Sequence, residues 1–316
     1  MKRTWSWPSE LRRAGVLGIN RRNSELVLPH NPRVNFPNVD DKLNTKRLCE
    51  QHGIHVPRTL AVIERQGDIQ RVAALVTAHA EFVIKPASGC EGRGIIVIAG
   101  RRGAHWLTSS DEALSLDDLR YHLSAILSGL YSLGGQDDHA IVEQRIVRHP
   151  IFADLALGGT PDIRIILYRG VPVMAMVRLP TRQSRGRANL HQGAVATAIH
   201  LVTGETFGGV HLGRAIATHP DTGAQLAGRR IPSWDIIIAS ATQLAGVLGL
   251  GYVGVDFVLD ASGLPVVLEA NARPGLAIQV AHGFGLTQRI ELIEQHLDDG
   301  DAVPRATLLA QLAALD

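Results

Sequence analysis

The stretch GVDFVLDASGLPVVLEANARPG, Gly254 to Gly275, admits few folds. Two apolar runs flank a Gly- and Pro-containing break, which predicts an antiparallel hairpin with ASGL as its loop. With Asp260 paired to Pro265, the ladder sets Asp256 directly opposite Glu269. Like charges facing each other across two strands destabilise a hairpin, so a cation between them is expected. Asn271 shares the face of Glu269, because side chains alternate along a strand, and three oxygen ligands then converge. Such a set suits Mg²⁺, which completes its octahedron with water and phosphate oxygens. Two other accounts stand beside this one: a solvated hairpin edge, or an acid pair bridged by a nearby arginine.

Just upstream, GLGYVG (Gly249 to Gly254) matches the dinucleotide-binding pattern G-x-G-x-x-G, with Glu269 near the position of a ribose-binding acid. The surroundings are reversed. That motif needs a strand before the glycines and a helix after them, whereas a helical pattern precedes these glycines and a strand pattern follows. A nicotinamide-binding role is therefore set aside.

Lysine is scarce. Four of the 32 basic residues are lysine (Lys2, Lys42, Lys46, Lys85), leaving 28 arginines, and three of the four lie in DDKLNTKRL and FVIKPASG. Either an arginine codon bias has left a few chance lysines, or those places need a compact ammonium against phosphate; the residues around them favour the second. Lys85 ends an apolar strand, and Ser88, Gly89, Gly92 and Gly94 follow in a loop whose backbone amides can approach an anion. No Gly-Lys-Ser/Thr follows, so the expected form is a glycine-rich hairpin between FVIKP and IIVIA. Cys90 in that loop reads as a small turn residue, with no adjacent histidine to make it a nucleophile.

Composition narrows the rest. The chain has 316 residues, 45% hydrophobic and 20% charged, enough for a large core. A net charge of +2 implies no nucleic-acid partner, and two cysteines suit a reducing compartment. No apolar run spans a bilayer, so a cytoplasmic location without membrane insertion is expected. Residues 1–40 read as an irregular lead segment. Helices are expected at Asp41 to His52, Asp68 to Ala80, Leu116 to Tyr131 and Trp234 to Leu248, with strands near Leu60 and in EFVIKP, IIVIA, AIVEQRI, DIRIILY and VPVMAMVRL.

Taken in order, DDKLNTKRLCEQHGIHVP, FVIKPASGCEGRGI, IVEQRI, DIRIIL, RANLHQGA, GVDFVL and LEANARPGL resemble the ATP-grasp superfamily, and within it the RimK-type α-L-glutamate ligases. The resemblance implies an α+β ATP-grasp fold of two α+β subdomains with the nucleotide clamped between their sheets. An ATP-grasp domain over 41–300 would contain a glycine-rich-loop subdomain at about 55–145 and a metal-binding subdomain at about 160–300. A reduced preceding region at 1–40 and a C-terminal helix at 301–316 complete the expectation. It also implies residue roles. Lys42 and Lys85 would contact ATP phosphates, the loop of Ser88, Gly89, Gly92 and Gly94 would cover them, Glu143 and Gln144 would meet the adenine edge, and Asp162 would help to bind the nucleotide. Arg164 would face the reacting phosphoryl group; Arg187, Ala188 and Asn189 would reach phosphates and metals, with His191 near the substrate. Asp256, Glu269 and Asn271 would hold two Mg²⁺ ions, Mn²⁺ being an alternative, and Arg273 would orient the substrate carboxylate.

The implied reaction is ATP-dependent ligation of a carboxylate, such as that of glutamate, to an amine through an acyl phosphate. The partners are an amino-acid donor and an amine acceptor, which is a small molecule, a peptide or a protein terminus; homo-oligomerisation is left open. The long connection RHPIFADLALGGTP is expected to act as a lid or acceptor loop. Two other functions fit the same motifs, a non-catalytic ATP-binding regulatory module and a kinase-like phosphotransferase.

Overall fold

Period-two apolar runs in the chain become two antiparallel sheets. A computed structural model describes residues 7–89, 92–132, 135–156, 158–298 and 305–315. The chain divides into two units: Asp40–Val147, and the residues up to Val39 together with those from Arg148 onward. Among the described residues no helix is long and apolar enough to cross a membrane.

In the Asp40–Val147 unit the strands are β1 (Thr59–Ile63), β2 (Phe82–Pro86), β3 (Ile96–Arg102), β4 (His105–Thr108), β5 (Ala113–Leu114) and β6 (Ala140–Glu143), in the order β1-β6-β2-β3-β4-β5. Alternation sorts their side chains. Phe82, Ile84, Ala140 and Val142 pack with Val72 and Val76 of helix Ile69–Ala78 and with Leu119, Leu123 and Ile126 of helix Leu116–Leu127. Ile141 belongs instead to a small cluster with Ala87 and Leu43, the latter on helix Lys42–Gln51. Two of these three helices are capped as their sequences suggest. Asp41 accepts from the Leu43 amide at 2.8 Å, and Ser115 and Asp118 form a reciprocal capping box. The pairing of β2 with β3, Phe82 to Ile98 and Ile84 to Ile96, gives the expected hairpin.

The second unit holds β7 (Asp162–Tyr168), β8 (Val171–Leu179), β9 (Val195–Ile199), β10 (Thr206–His211), β11 (Arg214–Ala215), β12 (Tyr252–Leu259) and β13 (Pro265–Asn271), in the order β11-β10-β9-β8-β7-β12-β13. Every residue of β7, β9 and β12 is buried, including the charged Asp162, Arg164 and Asp256. Helix Trp234–Leu248 packs on β7, β8 and β12 and ends at Gly249, whose φ of 65° is the left-handed cap.

Those two elements settle the GLGYVG motif. A helix precedes its glycines and antiparallel β12 follows. Two of its glycines are steric necessities: a Cβ on Gly251 would lie 2.7 Å from the His30 side chain, and one on Gly254 would lie 2.6 Å from that of Pro274.

One expectation is corrected. The lead segment is not irregular: it carries helix Pro8–Arg13 and a broken helical run over residues 19–40, part of it of π type, interrupted near Pro32. Its apolar residues are too unevenly spaced to register as a periodic helix, yet Leu17, Leu26 and Val27 are buried. The physical reason is tertiary: buried Arg22 bonds to the turn after β13 and buried Asn31 to the start of β12.

Candidate active site

Glu143 ends β6 on the same face as Ile141, the face that receives helix Lys42–Gln51. Lys85 Nζ donates to its Oε1 and Lys46 Nζ to its Oε2, each at 2.6 Å. All three residues are buried. Burial alone would raise the Glu143 pKa, but the Lys85 and Lys46 charges reverse this and hold it below the ordinary value. Lys46 also donates to the Pro57 carbonyl, and burial lowers its own pKa despite Glu143. Lys42, one helical turn before Lys46, donates to the Gly89 carbonyl at 2.6 Å. Gln144 is exposed, its amide bonded to the Arg58 carbonyl.

The glycine-rich loop is anchored from below. Asp138 is buried, and its carboxylate accepts from the Ser88 amide, the Ser132 hydroxyl and the His139 amide at 2.7 to 3.1 Å. Gly92 and Gly94 have φ of 71° and 74°, and a Cβ on Gly94 would collide with the Tyr131 ring. Cys90 lies outside the described residues.

In the other unit a row of charge crosses four strands. Asp256 pairs with Glu269 on one side and with Arg164 on the other, and Asp162 pairs with Arg178. Arg164 grips Asp256 with two donors, Nε to Oδ1 at 2.7 Å and Nη2 to Oδ2 at 2.5 Å. Arg178 grips Asp162 in the same bidentate way and also donates to Asp256 Oδ2 at 2.8 Å. The register therefore places Asp256 against Glu269 as expected, and the arginine bridge that is present, Arg178, joins Asp256 to Asp162 rather than to Glu269.

Asp256 and Asp162 are driven apart in acidity. Burial would raise Asp256, but Arg164 and Arg178 outweigh it and hold the carboxyl at about 2. At Asp162 burial outweighs Arg178, and the neighbouring Asp256 charge adds to it, raising the carboxyl to about 7. Three carboxylates face two guanidiniums, so one retained proton balances the row. The unfolded value is about 3.9 for either acid. Asp162 therefore contributes stability that is complete below about pH 4 and is lost as pH rises through 7; Asp256 contributes the reverse, complete above about pH 4 and lost towards 2. The unfolding free energy of the parent is expected to decline between about pH 4.5 and 7.5 more steeply than that of Asp162→Asn. Parallel profiles from denaturant titrations would contradict this.

The donor chemistry of the hairpin fits a hard cation. Glu269 and Asn271, both part-exposed, stand two residues apart on β13, with the Asn271 amide 3.3 Å from Glu269 Oε1. Asp256 Oδ1 accepts a single hydrogen bond and keeps a lone pair. Among the described residues no group of three or more His, Cys, Asp or Glu side chains is placed to hold a metal, so this set depends on the asparagine.

The remaining residues lie on loops. Arg187, exposed, donates to Gln192 at 3.3 Å, and Asn189 caps the short helix Leu190–Gln192 through the His191 amide. Ala188 is part-exposed and His191 exposed. The loop stem is fixed by Thr181, whose hydroxyl donates to the Gly193 carbonyl, and by Ser184, bonded reciprocally to Thr181. Gly159 of the long connection packs on Gly186, where a Cβ would overlap the carbonyl. Arg273 is exposed, its guanidinium 5.1 Å from the centre of the Phe36 ring. Three buried residues of these networks carried no role in the sequence reading: Lys46, Asp138 and Arg178.

The chain matches the family model described as "Sugar-transfer associated ATP-grasp" over residues 21–295. It is 26% identical over 272 residues to a "Probable alpha-L-glutamate ligase" of Thioalkalivibrio sulfidiphilus, covering 85% of this chain and 68% of that protein. A protein of the same description from Halorhodospira halophila is 26% identical over 262 residues, 82% and 65% of the two chains. The chain thus spans about two thirds of the length of the curated relatives it matches. Among solved structures, D-alanine–D-alanine ligase from Bacillus anthracis complexed with ATP aligns at 14% identity with a TM-score of 0.48, covering 83% of this chain and 66% of that one. The ordered motifs, the α+β architecture with its two antiparallel sheets and a family match over most of the length agree: the chain belongs to the sugar-transfer associated ATP-grasp family.

Proposed function

We propose that the chain is an ATP-dependent carboxylate–amine ligase that makes an amide through an acyl phosphate, joining an amino acid such as glutamate to an amine acceptor. The observation that carries this reading is the buried row Asp162, Arg178, Asp256 and Arg164 beside Glu269 and Asn271, within a chain of the ATP-grasp family. Buried charges add little net stability, so such a row across an otherwise apolar sheet favours a functional role.

In the first step a carboxylate oxygen attacks the γ-phosphorus of ATP and ADP leaves. In the second an amine nitrogen attacks the acyl carbon, phosphate leaves and the amine proton passes to solvent. Such transfers need alignment and dispersal of negative charge rather than a protein nucleophile. On this reading Lys42 and Lys85 bind phosphate oxygens and the Ser88–Gly94 loop covers them. Glu143 fixes the Lys85 ammonium in place, Gln144 meets the base, and Asp162 orders Arg178. Arg164, Arg187 and Asn189 face the transferring phosphoryl group, with Ala188 between them in sequence. Asp256, Glu269 and Asn271 hold Mg²⁺, which supplies charge neutralisation at the phosphates when bound. Arg273 takes the substrate carboxylate.

A panel of the twenty amino acids with small amines and Mg-ATP, scored for ADP release and for product mass, tests the reading. Lys85 provides a sharper check on the nucleotide side. Its ammonium is buried against Glu143 at 2.6 Å, a contact made by a compact point charge that a planar guanidinium does not imitate. Lys85→Arg is expected to weaken ATP binding by about tenfold, nearly as much as Lys85→Ala. Calorimetry giving parental affinity for the arginine variant would return Lys85 to codon bias.

A further inference from the structure

The lead segment meets the turn after β13 through side chains aimed at successive carbonyls. Asn31 Nδ2 donates to the Ala272 carbonyl at 3.1 Å; Arg22 Nη1 donates to those of Arg273 and Pro274 at 3.4 and 3.0 Å. Asn31 also ties the turn to the start of β12, donating to the Tyr252 carbonyl at 2.7 Å and accepting from its amide at 2.8 Å. Farther along, the buried Gln279 amide exchanges two hydrogen bonds with the backbone of Leu17. Arg22 and Asn31 are buried, so these bonds are shielded from water. On the outer side the Phe36 ring lies against the Arg273 guanidinium.

This pattern exceeds what stability requires. Three consecutive carbonyls of the turn are held from one segment, and the turn presents Asn271 and Arg273, the residues read as metal ligand and substrate clamp. An exposed arginine pays for fixation with rotamer entropy; an aromatic face beneath it restricts the guanidinium while leaving its edge free to donate. Arg22 and Arg273 also repel each other, which lowers the Arg22 pKa beyond the larger effect of burial and favours an anion nearby.

We propose that residues 22–36 form a built-in positioning strap for the turn Asn271–Pro274: Arg22 and Asn31 hold its backbone, and Phe36 sets the Arg273 guanidinium to receive the substrate carboxylate. The last clause rests on the ligase reading; the backbone part does not. Phe36 is a specificity-determining positioning residue, acting through Arg273 and not on the reacting atoms.

Two measurements on the full chain decide it. Hydrogen exchange read by mass spectrometry should show Asn31→Ala speeding exchange across residues 268–279 by about tenfold or more, with β7 unchanged. With Mg-ATP, L-glutamate and hydroxylamine as the amine, Phe36→Leu should raise the KM for L-glutamate about fivefold, leave kcat and the KM for ATP within about twofold, and be rescued by Phe36→Tyr. Parental exchange over 268–279 in Asn31→Ala, or an unchanged KM for L-glutamate in Phe36→Leu, overturns the strap. If Asn31→Ala does not fold, Phe36→Leu and its rescue still decide. Absence of turnover with L-glutamate in the parent counts against the donor in the ligase reading, and the exchange result then judges the strap alone.

Discussion

Glu269→Gln is expected to lower Mg²⁺-dependent ATP turnover by more than about a hundredfold while moving the unfolding midpoint by no more than about 2 °C. Glu269 is part-exposed and, among the described residues, the hydrogen bond its carboxylate makes is a 3.3 Å contact with Asn271, so the fold does not rest on that carboxylate. Its cross-strand neighbour behaves oppositely. Asp256→Asn removes the anion that two buried guanidiniums share, and an uncompensated buried charge costs about 3–5 kcal/mol. The two acids face each other in register, yet Glu269→Gln reports chemistry alone, whereas Asp256→Asn also disturbs the fold. Circular-dichroism melts beside a coupled ADP assay separate them. Normal Mg²⁺-dependent turnover by Glu269→Gln would remove that residue from the metal site.

The second large effect belongs to Glu143. Glu143→Gln leaves Lys46 and Lys85, both buried, without their shared carboxylate, and is expected to cost about 3–5 kcal/mol. Lys46→Met should cost much less, because Lys85 keeps Glu143 paired. The sign of the pH dependence follows from the lowered pKa of Glu143. Its contribution is present above the unfolded carboxylate value, about 4.3, and is lost as pH falls through the folded one. The acid limb of the stability profile should therefore shrink in Glu143→Gln. Equal destabilisation by the two variants in urea titrations would show that Glu143 is not the centre of this network.

The facing of Asp256 and Glu269 was legible in the sequence, but the route to it contains a compensation. The loop reading pairs Asp260 with Pro265, whereas Leu259 is the partner of Pro265. An irregularity between Asp256 and Phe257 then shifts the ladder by one residue and restores Asp256 to Glu269. A second irregularity hid Arg178. The turn Arg169–Gly170, with φ of 48° and 79°, pairs Tyr168 with Val171, and an unbroken ladder would set Asp162 against Val177. The shift between Ile166 and Leu167 sets it against Arg178. A bulge flips faces, and nothing in an apolar run announces one. Lys46 was noticed among the four lysines but carried no role, although it follows Lys42 by one helical turn. β9 and β10 went unread because VATAI and TFGGVH are short, and the second contains two glycines.

The most direct test of the central claim is trapping the activated carboxylate. The parent chain is incubated with Mg-ATP, each of the twenty amino acids and excess hydroxylamine, and ADP and hydroxamate are quantified together. Amide formation through an acyl phosphate predicts that at least one amino acid gives hydroxamate in equal amount with ADP, and that Glu269→Gln gives neither. ATP bound without either product across the whole panel, or ADP formed without hydroxamate, would contradict it.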